Sequence, residues 1–203
     1  MTAEAKKKSL MRRVDLANSQ TEQDILIQEA HSDSAAFARL YRLHYEKVFR
    51  YCSRRLFNRH AAEDVTSTVF FKVMGRIGSF EGNSTDFRNW LYRIATNAVN
   101  DHLRTAKRRA EAIRVAVHDH GRGRTFAKET DSEVQEKNLV LKQAVLGLKP
   151  KYQIVITLRY FEKMKLIEIA EILGQNPATV RSQLLRALDK LRKELEAVGR
   201  LEP

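Results

Sequence analysis

Residues 166–193 read LIEIAEILGQNPATVRSQLLRALDKLRK. Eight residues of helical pattern end at Gly174, the residue type with which a helix most often stops in the left-handed conformation. Asn176 and Pro177 then supply a cap and a first-turn proline. The stretch predicts helix, tight turn, helix. Counting Leu166 as first, Ala170 is fifth, Gly174 ninth and Val180 fifteenth. That puts a small residue where two helices cross, glycine at the turn and a branched apolar residue in the shared core, the spacing of the helix-turn-helix of DNA-binding proteins.

Rotating the second helix by roughly 100° per residue sorts its side chains. With Arg181 at zero, Val180, Leu184, Ala187, Leu188, Leu191 and Leu195 fall within about −120° to −20°, and Ser182, Arg186, Asp189 and Lys193 near +80° to +140°. The helix has an apolar back and a basic front. Arg181, Ser182, Leu185 and Arg186 lie along the N-terminal half of that front, the part that enters the major groove, where arginine bonds guanine O6 and N7 bidentately. Leu185, at about +40°, either meets a thymine methyl or closes the edge of the core.

The remainder of the chain agrees with such a role. Its 203 residues carry a formal net charge of +12 and a pI near 10.0, which point to a polyanionic partner. With 8 Gly and 3 Pro there is little punctuation for hairpins, so the expected class is all-α: two small helical domains joined by a flexible basic linker. The single cysteine, Cys52, excludes an internal disulfide framework and reads as a reduced core residue of a cytosolic protein. No apolar run approaches the roughly 18 residues a membrane span requires, so no membrane insertion is expected and the location is cytoplasmic.

Taken in order, residues 1–20 hold Lys6, Lys7, Lys8, Arg12 and Arg13 and read as a basic tail. Thr21 opens a short helix, TEQDILIQEA, with Asp24 in the capping-box position, and Ser34 is expected to cap the next. Phe37, Leu40, Tyr41, Tyr45, Val48, Phe49 and Cys52 recur at three and four and predict a long helix from about Ser34 to Leu56. A third helix is expected over Ala61 to Ile77, with Val65, Val69, Phe70, Val73 and Ile77 inward and Glu63 and Asp64 in its first turn, favourable against the helix dipole. That acidic pair is adjacent on one helix and converges on no nucleophile. The six histidines form no HExxH and there is no CxxC, so no catalytic residue, metal site or cofactor is expected.

The loop FEGNSTDF, Phe80 to Phe87, has Gly82 and Asn83 for its turn and Ser84, Thr85 or Asp86 to cap the helix that follows. That helix interleaves Phe87, Trp90 and Tyr92 with Arg88, Arg93, Arg104, Lys107, Arg108 and Arg109. Rings stack on unstacked bases while arginines follow phosphates, as a single strand requires. Periodicity then fails, so 110–131 reads as the linker between a first module, 21–109, and a second, 132–203. Two more helices, Ser132 to Leu148 and Pro150 to Phe161, lead into the helix-turn-helix.

In this order, an AED-led helix at 62–64, FFKV, the turn loop, WLYRIATNAVNDHLR, a variable linker, LKPKYQIVITLRYFEKMKLIEIAEILG and ATVRS resemble the group 4, or extracytoplasmic-function (ECF), RNA polymerase sigma factors from about Ser34 to Leu195. The resemblance implies that the first module is sigma region 2 and the last region 4. It implies a sigma factor that binds core RNA polymerase, through its clamp coiled coil and flap, and recognises promoter DNA at a −35 duplex and a melted −10 element. An anti-sigma factor is a further implied partner. Glu63, Asp64, Val65, Phe70 and Val73 match the helix docked on polymerase. Phe80, Asn83, Ser84, Trp90, Arg93, Asn97 and Arg104 match the −10 surface, with the 80–87 loop capturing a flipped base. Arg181, Ser182, Leu185 and Arg186 match the −35 readers. The loop is one residue longer than a common family form, and Gln183 stands where arginine is frequent. The alternatives are a helix-turn-helix regulator acting without becoming a polymerase subunit, a nucleic-acid enzyme, and a regulatory docking protein.

Overall fold

A computed structural model describes residue 18, residues 20–116 and residues 133–199. The basic tail falls outside these residues except at 18 and 20, as does the linker from 117 to 131. Every long element among the described residues is helical and none is a strand, which is the all-α class expected. The chain divides into two compact units, 1–98 and 99–203.

In the first unit, α1 (residues 20–29) buries Leu26 and Ile27, and α2 (Ser34–Leu56) buries Ala36, Leu40, His44, Val48 and Cys52 at four-residue steps. Such steps place side chains above one another on one face, which packs on α3 (Arg59–Met74). Ser34 does not cap α2; the Asp33 carboxylate does, accepting from the Ala35 and Ala36 amides, because the residue just outside the helix holds the extended backbone that aims an oxygen at them. α3 likewise starts two residues earlier than expected, capped by Asn58, and ends at Met74, with Ile77 in a separate short 3-10 turn. Glu63 and Asp64 therefore lie in the second turn, outside the capping positions, and the dipole argument for them fails.

The long helix α4 (Ser84–Ala116) buries Phe87, Leu91, Tyr92, Ile94, Ala95 and Ala98 and continues as helix through 110–116, the first residues assigned to the linker. It is tied to α2 by the Tyr51 and Thr96 hydroxyls, 2.7 Å apart and buried, and Arg55, also buried, donates to Tyr51 Oη at 3.4 Å. Burial raises the Tyr51 phenol above its ordinary value, so its hydroxyl keeps its proton.

His44 packs edge-on to Phe87, and burial, followed by the nearby Lys47 charge, lowers its pKa from 6.5 to about 4. The unfolded chain takes up a proton below about pH 6.5 and the folded chain does not until about pH 4, so stability is full above that window and falls within it. Between pH 7 and 5 the protein is expected to lose about 2 kcal/mol more unfolding free energy than His44→Leu. Equal losses in paired denaturant titrations would refute the assignment.

In the second unit, α5 (Glu133–Gly147) turns into α6 (Pro150–Ile156), and Gln153 Nε2 spans the turn, donating to the Leu146 and Leu148 carbonyls. A π-turn, Thr157–Phe161, widens the end of α6 and carries buried Leu158. Next come α7 (Leu166–Leu173) and α8 (Pro177–Gly199). Gly174 sits at φ 61°, and Gln175 N donates to Ala170 O at 2.9 Å, so the turn closes as the glycine position requires. Asn176 Oδ1 accepts from Ala178 N at 2.8 Å, the cap expected of it.

Candidate nucleic-acid and polymerase interfaces

The helix-turn-helix has the core its spacing implies: Ala170, Val180, Leu184, Ala187 and Leu191 are buried, while Arg181, Ser182 and Arg186 are exposed. Leu185 is 60% exposed, which leaves it on the same front as Arg181 and Arg186 and removes the core-edge alternative. Leu195 is also open, at 38%, because it lies beyond the last turn that α8 packs into the unit. Gln183 is buried at 8% exposure, and its amide donates to Gln175 Oε1 at 2.9 Å, so it braces the turn of the motif. An open groove beside the front is lined by Lys151, Ala178, Thr179, Ser182, Gln183 and Arg186, which adds a cation from the start of α6 to those of α8. Lys193 forms an intrahelical pair with Asp189, so the charge of the front is concentrated in its N-terminal half.

On α4, Arg93, Asn97 and Arg104 are exposed and fall within roughly 40° of one another around the helix, with Trp90 half-buried about 20° beyond Asn97. Arg104 Nη2 holds Asp101 Oδ1 at 2.9 Å, an exposed pair of the kind worth about 1 kcal/mol or less and readily exchanged for a phosphate. The aromatics are less available than the sequence suggests. Phe80 is 7% exposed and clusters with Phe87 and Trp90 at centroid distances of 5.5 and 5.1 Å, because the loop folds back over the start of α4. Phe80 thus supports the loop from beneath, while Glu81, Gly82 and Asn83 form its exposed tip.

The tip is rigidly built. Gly82 has φ 140°, and a Cβ there would come within 2.8 Å of Asp86 Cβ, so the position admits glycine alone without displacement. The cap of α4 is Asn83, whose Oδ1 accepts from the Thr85 and Asp86 amides while Asp86 Oδ2 accepts from Asn83 N. Ser84 donates its amide to Asp24 of α1, so Asp24 serves the loop and not the start of its own helix.

On α3, Val65, Phe70 and Val73 are buried and cannot be surface contacts as the helix stands; they back it. Glu63 is engaged by Arg59 Nε at 2.9 Å. Ser67 and Thr68 donate their hydroxyls to carbonyls one turn back. The outward face then offers the Asp64 carboxylate, exposed, and Phe71 and Met74, 71% and 54% exposed. Phe71 is the residue sequence reasoning missed. Rotation places it about 100° from Phe70, off the inward face, and thus marks it as an exposed aromatic.

A helix-turn-helix with a packed core and an exposed basic front is the architecture of a DNA-binding protein. Residues 40–109 match Sigma-70 region 2 and residues 138–191 match Sigma-70, region 4. The sequence is 34% identical over 172 residues to the ECF RNA polymerase sigma factor SigW of Bacillus subtilis, an alignment covering 80% of this chain and 90% of SigW. The chain belongs to the ECF sigma factors of the sigma-70 family. Its fold is similar to CnrH, solved with the cytosolic domain of CnrY (TM-score 0.64, 21% identity, 86% of this chain and 97% of that one). It is also similar to the sigma factor RpoE of Bartonella quintana, solved with the anti-sigma factor NepR (TM-score 0.62, 20% identity, 79% and 96%). Among the described residues no helix is long and apolar enough to cross a membrane.

Proposed function

We propose that this sigma factor joins core RNA polymerase through the exposed face of α3 and through region 4, reads the −35 duplex with Arg181, Ser182, Leu185 and Arg186, and traps an extruded −10 base at the 81–84 tip. Arg93, Asn97 and Arg104 hold the non-template strand beside it. The observation that supports this best is the exposure of all four α8 residues on one front above a fully packed helix-turn-helix core. Binding energy from both elements offsets the few kcal/mol that unstacking a base costs. Polymerase performs the nucleotidyl transfer, and this chain supplies recognition without catalysis of its own, in the cytoplasm. Since two similar structures hold an anti-sigma or cytosolic partner domain, an anti-sigma protein is the expected regulator.

Run-off transcription with core polymerase on randomised promoters tests the reading. The expected result is enrichment of two sequence elements, neither selected by core enzyme alone. Tight duplex binding by a stable dimer of the free chain, with no core-dependent transcription, would instead establish a conventional helix-turn-helix regulator.

A further inference from the structure

We infer that Asp24, on α1, is a positioning residue for base selection at the −10 element, acting by fixing the first residue of α4 and with it the loop tip; this rests on the base-trapping role proposed above for that loop. The first amides of a helix have no partner within it and must be satisfied by caps, water or tertiary contacts. Here the local cap accounts for all but one of them. Asn83 N donates to Asp86 Oδ2, Thr85 N and Asp86 N donate to Asn83 Oδ1, and Phe87 N donates to Asn83 O. The remaining amide, that of Ser84, donates to Asp24 Oδ1, a carboxylate sixty residues earlier in the chain.

That one contact joins the tip to a different element. α1 is anchored by Leu26 at 8% and Ile27 at 1% exposure, so its register is set by burial, and Asp24 transmits the register to Ser84. α1 precedes the segment matched as Sigma-70 region 2, which begins at residue 40. A carboxylate is well suited to the task, since a charged acceptor strengthens the bond and complements the positive end of the helix dipole. On the other side of the tip, Phe80 packs beneath it, and Gly82 is pressed against Asp86 with no room for a side chain. The loop is therefore pinned from beneath by an aromatic ring, from within by its own cap and from outside by Asp24.

Capture of an extruded base gains from such pinning. If the loop must order as the base arrives, the ordering cost is subtracted from binding, and if its donors wander, matched and mismatched bases are held alike. A hydrogen bond to a charged group is of the size that holds a loop in one arrangement by about tenfold over its alternatives.

The test uses holoenzyme formed with the full chain and pre-melted templates that differ only at the captured −10 base. Asp24→Ala is expected to lower the matched-to-mismatched ratio about tenfold and to speed hydrogen exchange at the Ser84 amide of the free chain. Asp24→Asn, which keeps an acceptor oxygen, should retain most of both, and preference at −35 on duplex DNA should be unchanged in either variant. A merely structural role would lower the melting temperature and all activities together. If Asp24→Ala speeds exchange at Ser84 yet leaves the base ratio intact, or if it leaves exchange at Ser84 unchanged, the inference is overturned. Asn83→Ala and Asn97→Ala separate the two levels. Loss of the ratio in those variants with none in Asp24→Ala rejects the role of Asp24 alone; no loss in any variant rejects the base-trapping reading of the loop itself.

Discussion

Phe71→Glu is expected to abolish co-purification with core polymerase, and Asp64→Arg to weaken it by roughly a hundredfold, each with an unchanged thermal midpoint. Both side chains are open to solvent, so replacing them creates no cavity and leaves no buried partner unpaired; surface changes of this kind usually stay within about 0.5 kcal/mol of neutral. The effect on binding is large because an exposed aromatic set beside a charge is the usual anchor of an interface, with truncation costing about 2 to 4 kcal/mol. Phe70→Ala is the contrasting control. Phe70 is 5% exposed and meets Tyr41 edge-on at 4.7 Å, so its loss should cost about 3 to 5 kcal/mol of stability and reduce every activity together. If Phe71→Glu still carried core polymerase through affinity capture at normal salt, the docking face would have to lie elsewhere than on α3.

The contrast between these neighbours shows where sequence reasoning stops. The helix-turn-helix was legible residue by residue because its signals are local: a glycine that must take positive φ, a cap one residue before a proline, and apolar positions at fixed rotation. Gly174, Asn176 and Val180 behave in the structure as those signals require. Boundaries were less legible, since several polar residues in a row compete to cap a helix and only backbone direction decides between Asp33 and Ser34. The 80–87 loop was legible as a loop, but its construction was not. That Phe80 folds inward and that Asp24 serves a helix sixty residues away are tertiary facts without a local signature. Gln183 is a similar case: its side chain bonds Gln175 across the turn, a contact that no local pattern announces.

The two DNA modes should separate by mutation. Arg186→Ala or Arg181→Ala is expected to cost about 1 to 3 kcal/mol and to relax preference at one or two −35 positions, because each removes the bidentate donor proposed for a base edge in duplex DNA. Neither side chain supports the core, since both are exposed on the front of α8, so activity on a pre-melted template lacking a −35 element should be nearly unaffected. Asn97→Ala should do the reverse. Asn97 stands exposed in the stripe between Arg93 and Arg104, and its proposed partner is an unstacked base, so discrimination at −10 should fall even when the DNA is already open. Arg104→Ala should weaken strand binding with little change in base preference, since a phosphate contact positions without specifying, and the salt dependence of binding should become shallower. Transcription from duplex and bubble templates, with point changes in each element, reads all four variants together. If Arg186→Ala and Asn97→Ala lost activity equally on both templates, the division of labour between α8 and the α4 stripe would be untenable, and a shared folding defect would explain the loss better.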